Sequence, residues 1–238
     1  MGRPFTVYIE CKQAGTSLAA ASPTASPPAP PSPPVDKPSF QRELDSLSDP
    51  AATFVKRGLT YYSNQDYDRA IGDFTEAIRL HPDAYAYRNR GRAYSAKGDY
   101  VRAFSDWTES IARNAGWGAG YWLLWRYLER GHAGKDGTEV LASAAPSFLV
   151  SHNTTTWPYP IIEFYLGRRS EPEVMSAATK PNEVCDAQFY LGEWKLLHGD
   201  RTAAIAALRI AANTCPDAFY EYDGAVAELR RLKQKVTE

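Results

Sequence analysis

No apolar run in this chain of 238 residues reaches the roughly eighteen needed to cross a bilayer, so no transmembrane helix is expected. An excess of one charge is missing as well. Lys and Arg total 27 against 28 Asp and Glu, which gives no global attraction to nucleic acid or to anionic lipid. Catalytic signatures are also absent: there is no HExxH, no GxSxG, no phosphate loop and no paired CxxC. The few histidines, His81, His132, His152 and His198, fall near turns or loops without a metal-ligand rhythm and read as surface residues. No catalytic residue, cofactor or metal is therefore expected.

Prolines are unevenly spread. Of the 17, eight lie between Pro23 and Pro38 in a segment of Pro, Ala, Ser and Thr. Such a segment lacks the apolar surface to offset its ordering entropy and reads as an extended spacer, with a reach of about 50 Å. It is either a tether or a dispensable tail. The organisation expected is an unassigned segment 1–22, a Pro-rich linker 23–49 and a helical domain 50–238. Val7 to Ile9 is too short for a signal-peptide core, and Glu10 before Cys11 does not suit a lipoprotein cleavage site. Lipidation at Cys11 is not expected. A start placed inside or beyond a real export signal stays open.

Beyond residue 50 the apolar residues recur with helical spacing. Gly58, Ala70, Phe74, Ala77 and Pro82 return at identical offsets as Gly91, Ala103, Trp107, Ser110 and Ala115, and again as Gly192, Ala204, Leu208, Ala211 and Pro216. Polar turns interrupt each unit at Asn64-Gln65-Asp66, Lys97-Gly98-Asp99 and Gly199-Asp200. Asp66, Asp99 and Asp200 suit helix N-caps there. Small residues where two helices meet, a large one filling the gap and a proline ending the unit describe an antiparallel helix pair. The pattern resembles the tetratricopeptide (TPR) repeat, with clear units at about 51–83, 84–116 and 185–218. The resemblance implies an all-α, helix-turn-helix solenoid that binds proteins.

The signature fades over 117–184. Trp117, Tyr121, Trp122, Trp125 and Tyr127 crowd a helix that is apolar almost all round up to Gly131, so burial between neighbours is expected. Such a cluster reads as core before it reads as a ligand pocket. Trp157 to Pro160 reads as a rigid loop before a short helix from Ile161 to Leu166. Asn153-Thr154-Thr155 matches a glycosylation sequon, a weak motif on its own. The stretch Trp157 to Leu166, with Gly167, Ser170-Glu171, Phe189 to Gly192, Leu197, Gly199-Asp200, Glu221 and Ala227 to Leu229, is similar to NlpI-type TPR lipoproteins of bacterial envelopes. That resemblance covers roughly Ala51 to Leu232. It implies a non-catalytic periplasmic scaffold, usually lipid-anchored and often dimeric, that docks envelope proteases and peptidoglycan enzymes. The chain departs from it in having no lipobox and a proline-rich leader.

Cys185 and Cys215 lie at similar distances before and after the turn at Gly199. An antiparallel hairpin would bring them level, which suits a disulfide and an oxidising compartment. Two buried thiols in a cytoplasmic repeat are the alternative. A partner is expected on the inner surface made by the first helix of each repeat, at Tyr62, Tyr85, Arg88, Asn89 and Arg92. There Arg88 and Arg92, one turn apart, could fork onto a carboxylate. Val55, Leu59 and Tyr62 stand where a chaperone-tail clamp would need lysine and asparagine, so an extended or helical peptide with an acidic end is the better fit. A homodimerisation module is the second reading. The last helix, Phe219 to Lys235, reads as a cap that covers the final repeat with Ala225, Leu229 and Leu232 and turns its charges to water.

Overall fold

A computed structural model describes residues 49–113, 118–151 and 156–234, without the side chains of 147–151 and 234. The Pro-rich linker, Cys11, Trp117 and the sequon lie outside the described residues. Among those described there are eleven helices and no strand. They are α1 (Pro50–Ser63), α2 (Tyr67–Leu80), α3 (Ala84–Lys97), α4 (Tyr100–Arg113), α5 (Ala119–His132), α6 (Thr138–Ser151), α7 (Tyr159–Tyr165), α8 (Glu171–Ala177), α9 (Pro181–Leu197), α10 (Arg201–Thr214) and α11 (Tyr220–Gln234).

Each helix packs on the one before it, so the chain is a right-through stack of five antiparallel pairs closed by α11. The fold is the all-α TPR solenoid expected. The segment without a repeat signature supplies two of those pairs: α5 with α6, and the seven-residue helices α7 with α8. The short helix begins at Tyr159 rather than Ile161.

Local chemistry sets the helix starts. The side chains of Asp49, Asp66, Asp83, Asp99 and Asp200 each accept a hydrogen bond from a backbone N–H in the first turn that follows. This satisfies donors that would otherwise be orphaned. The turns before Asp66, Asp99 and Asp200 need one left-handed residue. Gly98 (φ 78°) and Gly199 (φ 85°) supply it, while Gln65 takes it at φ 62°.

Packing follows the repeat. Ala70, Ala103 and Ala204, then Phe74, Trp107 and Leu208, then Ala77, Ser110 and Ala211 are all fully buried. A Cβ on Gly58 would stand 2.7 Å from the Phe74 ring, and one on Gly192 would stand 2.9 Å from Leu208. The glycine is what lets the large residue in. Beside this seam, Arg57 Nε and Nη2 donate to Asp73 at 2.6 Å each. Arg90 does the same to Asp106 at 2.8 Å. The equivalent positions of the third clear repeat are Leu191 and Ala207.

Trp107 opens the main core. It stacks on Trp122 and Trp125 at 5.8 and 5.5 Å between ring centres, and Leu123, Leu124, Tyr127 and Leu128 fill the space around them. The aromatic run of α5 is therefore mostly core. Cys185 of α9 and Cys215, at the end of α10, are joined as a disulfide with Cα atoms 5.0 Å apart. The level placement inferred from the hairpin is what the structure has.

The C-terminal helix departs from the reading of a simple cap. Ala225 and Leu232 are buried as expected, but so are Glu221 and Glu228. Besides α10 and α9, α11 packs on α3 of the second repeat. It therefore lies inside the curve of the solenoid, with acidic side chains turned inward.

Candidate functional site

The packing of α11 on α3 decides the fate of the five residues assigned to partner binding. The Arg92 guanidinium lies between the rings of Tyr62 and Tyr220, at 4.6 and 4.0 Å from their centres. It pairs with Asp223 of α11 and donates to Asn89 Oδ1 at 2.9 Å. Asn89 is buried and donates through Nδ2 to the Tyr85 carbonyl oxygen at 2.8 Å. Tyr62 loses its hydration here, and burial pushes its phenol above the usual tyrosine range.

The fork of Arg88 with Arg92 is not formed. Arg92 already has its carboxylate, Asp223, from a helix 131 residues along the chain. No local pattern in the sequence announces that contact.

Arg88 points the other way. Its Nη1 donates to Ser110 Oγ at 3.1 Å, and its guanidinium covers the Trp122 ring at 4.8 Å. Its Nε is buried without a hydrogen-bond partner. Among the described residues no carboxylate pairs with it. Tyr85, beside it, is 44% exposed.

The same Trp122 forms a wall of a cavity of about 250 Å³ between the start of α5, the first turns of α9 and the start of α11. Tyr121, Phe219 and Tyr220 add aromatic surface, Asn182 stands at its edge, and Asp186 and Glu221 lie at its back. Asp186 Oδ2 accepts from the Tyr121 hydroxyl and from the Trp157 indole N–H, both at 2.9 Å. Glu221 Oε1 accepts from the Tyr190 hydroxyl at 2.8 Å. Burial raises the pKa of both carboxyls; the nearby charge of Asp186 adds to the rise at Glu221, and that of Glu183 to the rise at Asp186. Among the described residues no Lys or Arg forms an ion pair with either. An aromatic lining with acids behind it attracts a cation twice, through the ring faces and through the carboxylates.

Comparison with protein families agrees with the repeat pattern. Residues 55–116 match a tetratricopeptide-repeat family, and residues 186–218 match a second tetratricopeptide-repeat family. These segments are the first two clear repeats and the third. The tetratricopeptide repeat is a protein-binding architecture, so a protein-interaction module is what the chain carries. The candidate cavity is built from the aromatic helix that follows the first matched segment and from residues at the two ends of the second. The aromatic density of α5 was legible in the sequence, whereas Asp186 reaches it through the packing of α9 on α5 and Phe219 and Glu221 through the closure of α11.

The histidines need one correction. His81 and His198 are exposed, and His152 is outside the described residues. His132 is instead an inward residue of α5, with Nε2 at 2.7 Å from Glu193 Oε2 and its ring stacked on Tyr100. Glu129, one turn earlier, is the signal the sequence offered.

Proposed function

We propose that this protein is a non-catalytic adaptor that holds a partner protein against the α5–α9–α11 cavity. The observation that carries the reading is the aromatic cavity itself, with two buried acids at its back that pair with no Lys or Arg among the described residues and with Arg88 stacked on the Trp122 that walls it. A partner segment with a Lys or Arg side chain would place that cation over Tyr121 and Phe219. A carboxylate nearby on the same segment would meet Arg88, whose guanidinium is held flat by Trp122. The acidic peptide foreseen for Arg88 and Arg92 together thus becomes a mixed-charge one, read by Arg88 alone.

The setting proposed is the bacterial envelope, with proteases or peptidoglycan enzymes as partners. The NlpI-type resemblance and the Cys185–Cys215 bond, which needs an oxidising compartment to persist, support it. A cytoplasmic adaptor is the competing setting. No described helix is long and apolar enough to cross a membrane.

The test compares proteins captured from envelope extract by the wild type, Arg88→Glu and Asn182→Trp. Asn182 is exposed at the cavity edge, so tryptophan there blocks the opening without disturbing the core. Loss of the same captured proteins in both variants, with unchanged thermal melting, is the expected result. Undiminished capture in both removes the cavity from the binding surface. Non-reducing mass spectrometry of natively expressed protein addresses the setting separately: free thiols at Cys185 and Cys215 would argue for the cytoplasm.

A further inference from the structure

Further along α11 lies a second, smaller cavity of about 40 Å³, lined by Glu129 and His132 of α5, Glu193 of α9 and Glu228 of α11. We propose that His132, Glu193 and Glu228, with Glu129 beside them, form a binding site for one divalent first-row transition-metal ion of the zinc class.

Geometry is the first support. One ligand atom each from His132, Glu193 and Glu228 can be chosen so that all lie within 4.8 Å of one another. Donor atoms around a tetrahedral Zn²⁺ stand about 3.3–3.6 Å apart, given metal–ligand distances of about 2.0–2.2 Å. The widest pair therefore has to close by about 1.5 Å at most. His132 Nε2 and Glu193 Oε2 already face each other at 2.7 Å. The donors come from three helices that are far apart in sequence, and a cavity of this volume has room for an ion and little else.

Glu129 is a separate and stronger hint. It is only 2% exposed. One carboxyl oxygen accepts from Ser95 Oγ, while the other, Oε2, is buried in the cavity wall with no hydrogen-bond partner. A buried carboxylate oxygen without a donor is costly. A cation in the cavity would give it a partner, beside the Trp107 indole N–H that is also unpaired. Glu129 and His132 lie at i and i+3, so both side chains leave the same face of α5.

Charge points the same way. Three glutamates converge here, whereas Arg231, paired with Glu228, is the one adjacent guanidinium not committed elsewhere. Arg92, also at the wall, is committed to Asp223. A dication would answer the charge of Glu193 and displace the proton that burial favours on Glu129. Imidazole with carboxylates suits Zn²⁺, Fe²⁺, Co²⁺ or Mn²⁺ above Ca²⁺ or Mg²⁺, which prefer oxygen alone.

The test uses the full chain, free of any affinity tag, stripped with chelator and dialysed against ZnCl₂ or MgCl₂. Expected are retention of about one Zn²⁺ per chain, little Mg²⁺, and a melting temperature that rises with added Zn²⁺. Both effects should be lost in His132→Gln and in Glu228→Gln. Equal Zn²⁺ uptake by the wild type and both variants would mean adventitious surface binding and overturn the proposal, as would no uptake at all. Should a variant fail to fold, Co²⁺ added to the wild type decides. Visible absorption distinct from that of aqueous Co²⁺ supports the site, and the spectrum of the free ion rejects it.

Discussion

At the scale of single residues, the two arginine–aspartate pairs show how much of a repeat is replaceable. Arg90 and Asp106 make a bidentate pair with Asp106 only 5% exposed at its side chain. Removing one partner strands the other, a loss of about 3 kcal/mol. Removing both need not cost as much, because the third repeat builds the same seam with Leu191 and Ala207. Asp106→Ala is thus expected to lower the urea midpoint sharply, and Arg90→Leu with Asp106→Ala together to recover most of it. A double variant no better than the single would show the ion pair to be needed for more than mutual compensation. Asp186 and Glu221 make a second residue-scale prediction. Their folded pKa values are raised above the unfolded ones, near 4, chiefly by burial. Their native environment therefore binds protons more tightly than the unfolded chain does. The stability from that difference is complete below about pH 4 and is lost as pH rises through the folded values. Glu221→Gln, which keeps an acceptor for Tyr190 and cannot ionise, should flatten the decline of stability between about pH 4 and about pH 7. Parallel profiles for wild type and variant would mean that Glu221 does not titrate in that range.

At the scale of helices, the hairpins with full repeats were legible because each carries its own instructions. The aspartate caps, the left-handed turn and the small–large interlock lie within about thirty residues, as at Gly58 with Phe74 or Gly192 with Leu208. Gln65 hides the first turn only slightly, since Asp66 still marks the helix that follows. The middle pairs were not legible as repeats. In α7 and α8, seven residues each leave no room for a full small–large pattern, and Tyr165 instead fixes its hairpin by donating a hydrogen bond to the Tyr190 carbonyl oxygen of α9. The site was less legible than the fold for a related reason: Arg92, Asp186 and Glu129 all find their partners on helices distant in sequence. The disulfide is the exception, being read from hairpin symmetry alone. It closes a separation of 30 residues, worth about 3–4 kcal/mol by the chain-entropy estimate. Reduction, or Cys185→Ser with Cys215→Ser, should lower stability by that order while leaving helix content unchanged by circular dichroism. Complete unfolding of the whole chain on reduction would show that α9–α10 governs the solenoid and is not one repeat among several.

At the scale of the molecule, α11 turns an open stack into a closed one. A solenoid held by neighbour contacts melts as a series of local units, whereas α11 ties α9 and α10 to α3 and so couples the last repeat to the second. Both cavities depend on it: Tyr220 and Glu221 line the aromatic one, and Glu228 lines the acidic one. Gly224 permits the close approach, since a Cβ there would meet Trp125 and Phe189 at 2.7 and 2.8 Å. The polar clasp is Arg92 with Asp223, seated between Tyr62 and Tyr220. Asp223→Ala leaves that guanidinium in place without its carboxylate, at a cost of about 2 kcal/mol after allowing for Asp223's partial exposure. If the clasp holds α11 down, amide exchange across residues 220–234 should quicken together by about thirtyfold, while α1 and α2 keep wild-type protection. Partner capture at the aromatic cavity and Zn²⁺ retention at the acidic one should weaken in the same variant, because one helix completes both. Unchanged exchange in α11 would assign the closure to the apolar face of Ala225, Leu229 and Leu232, and the two cavities would then be free to act independently.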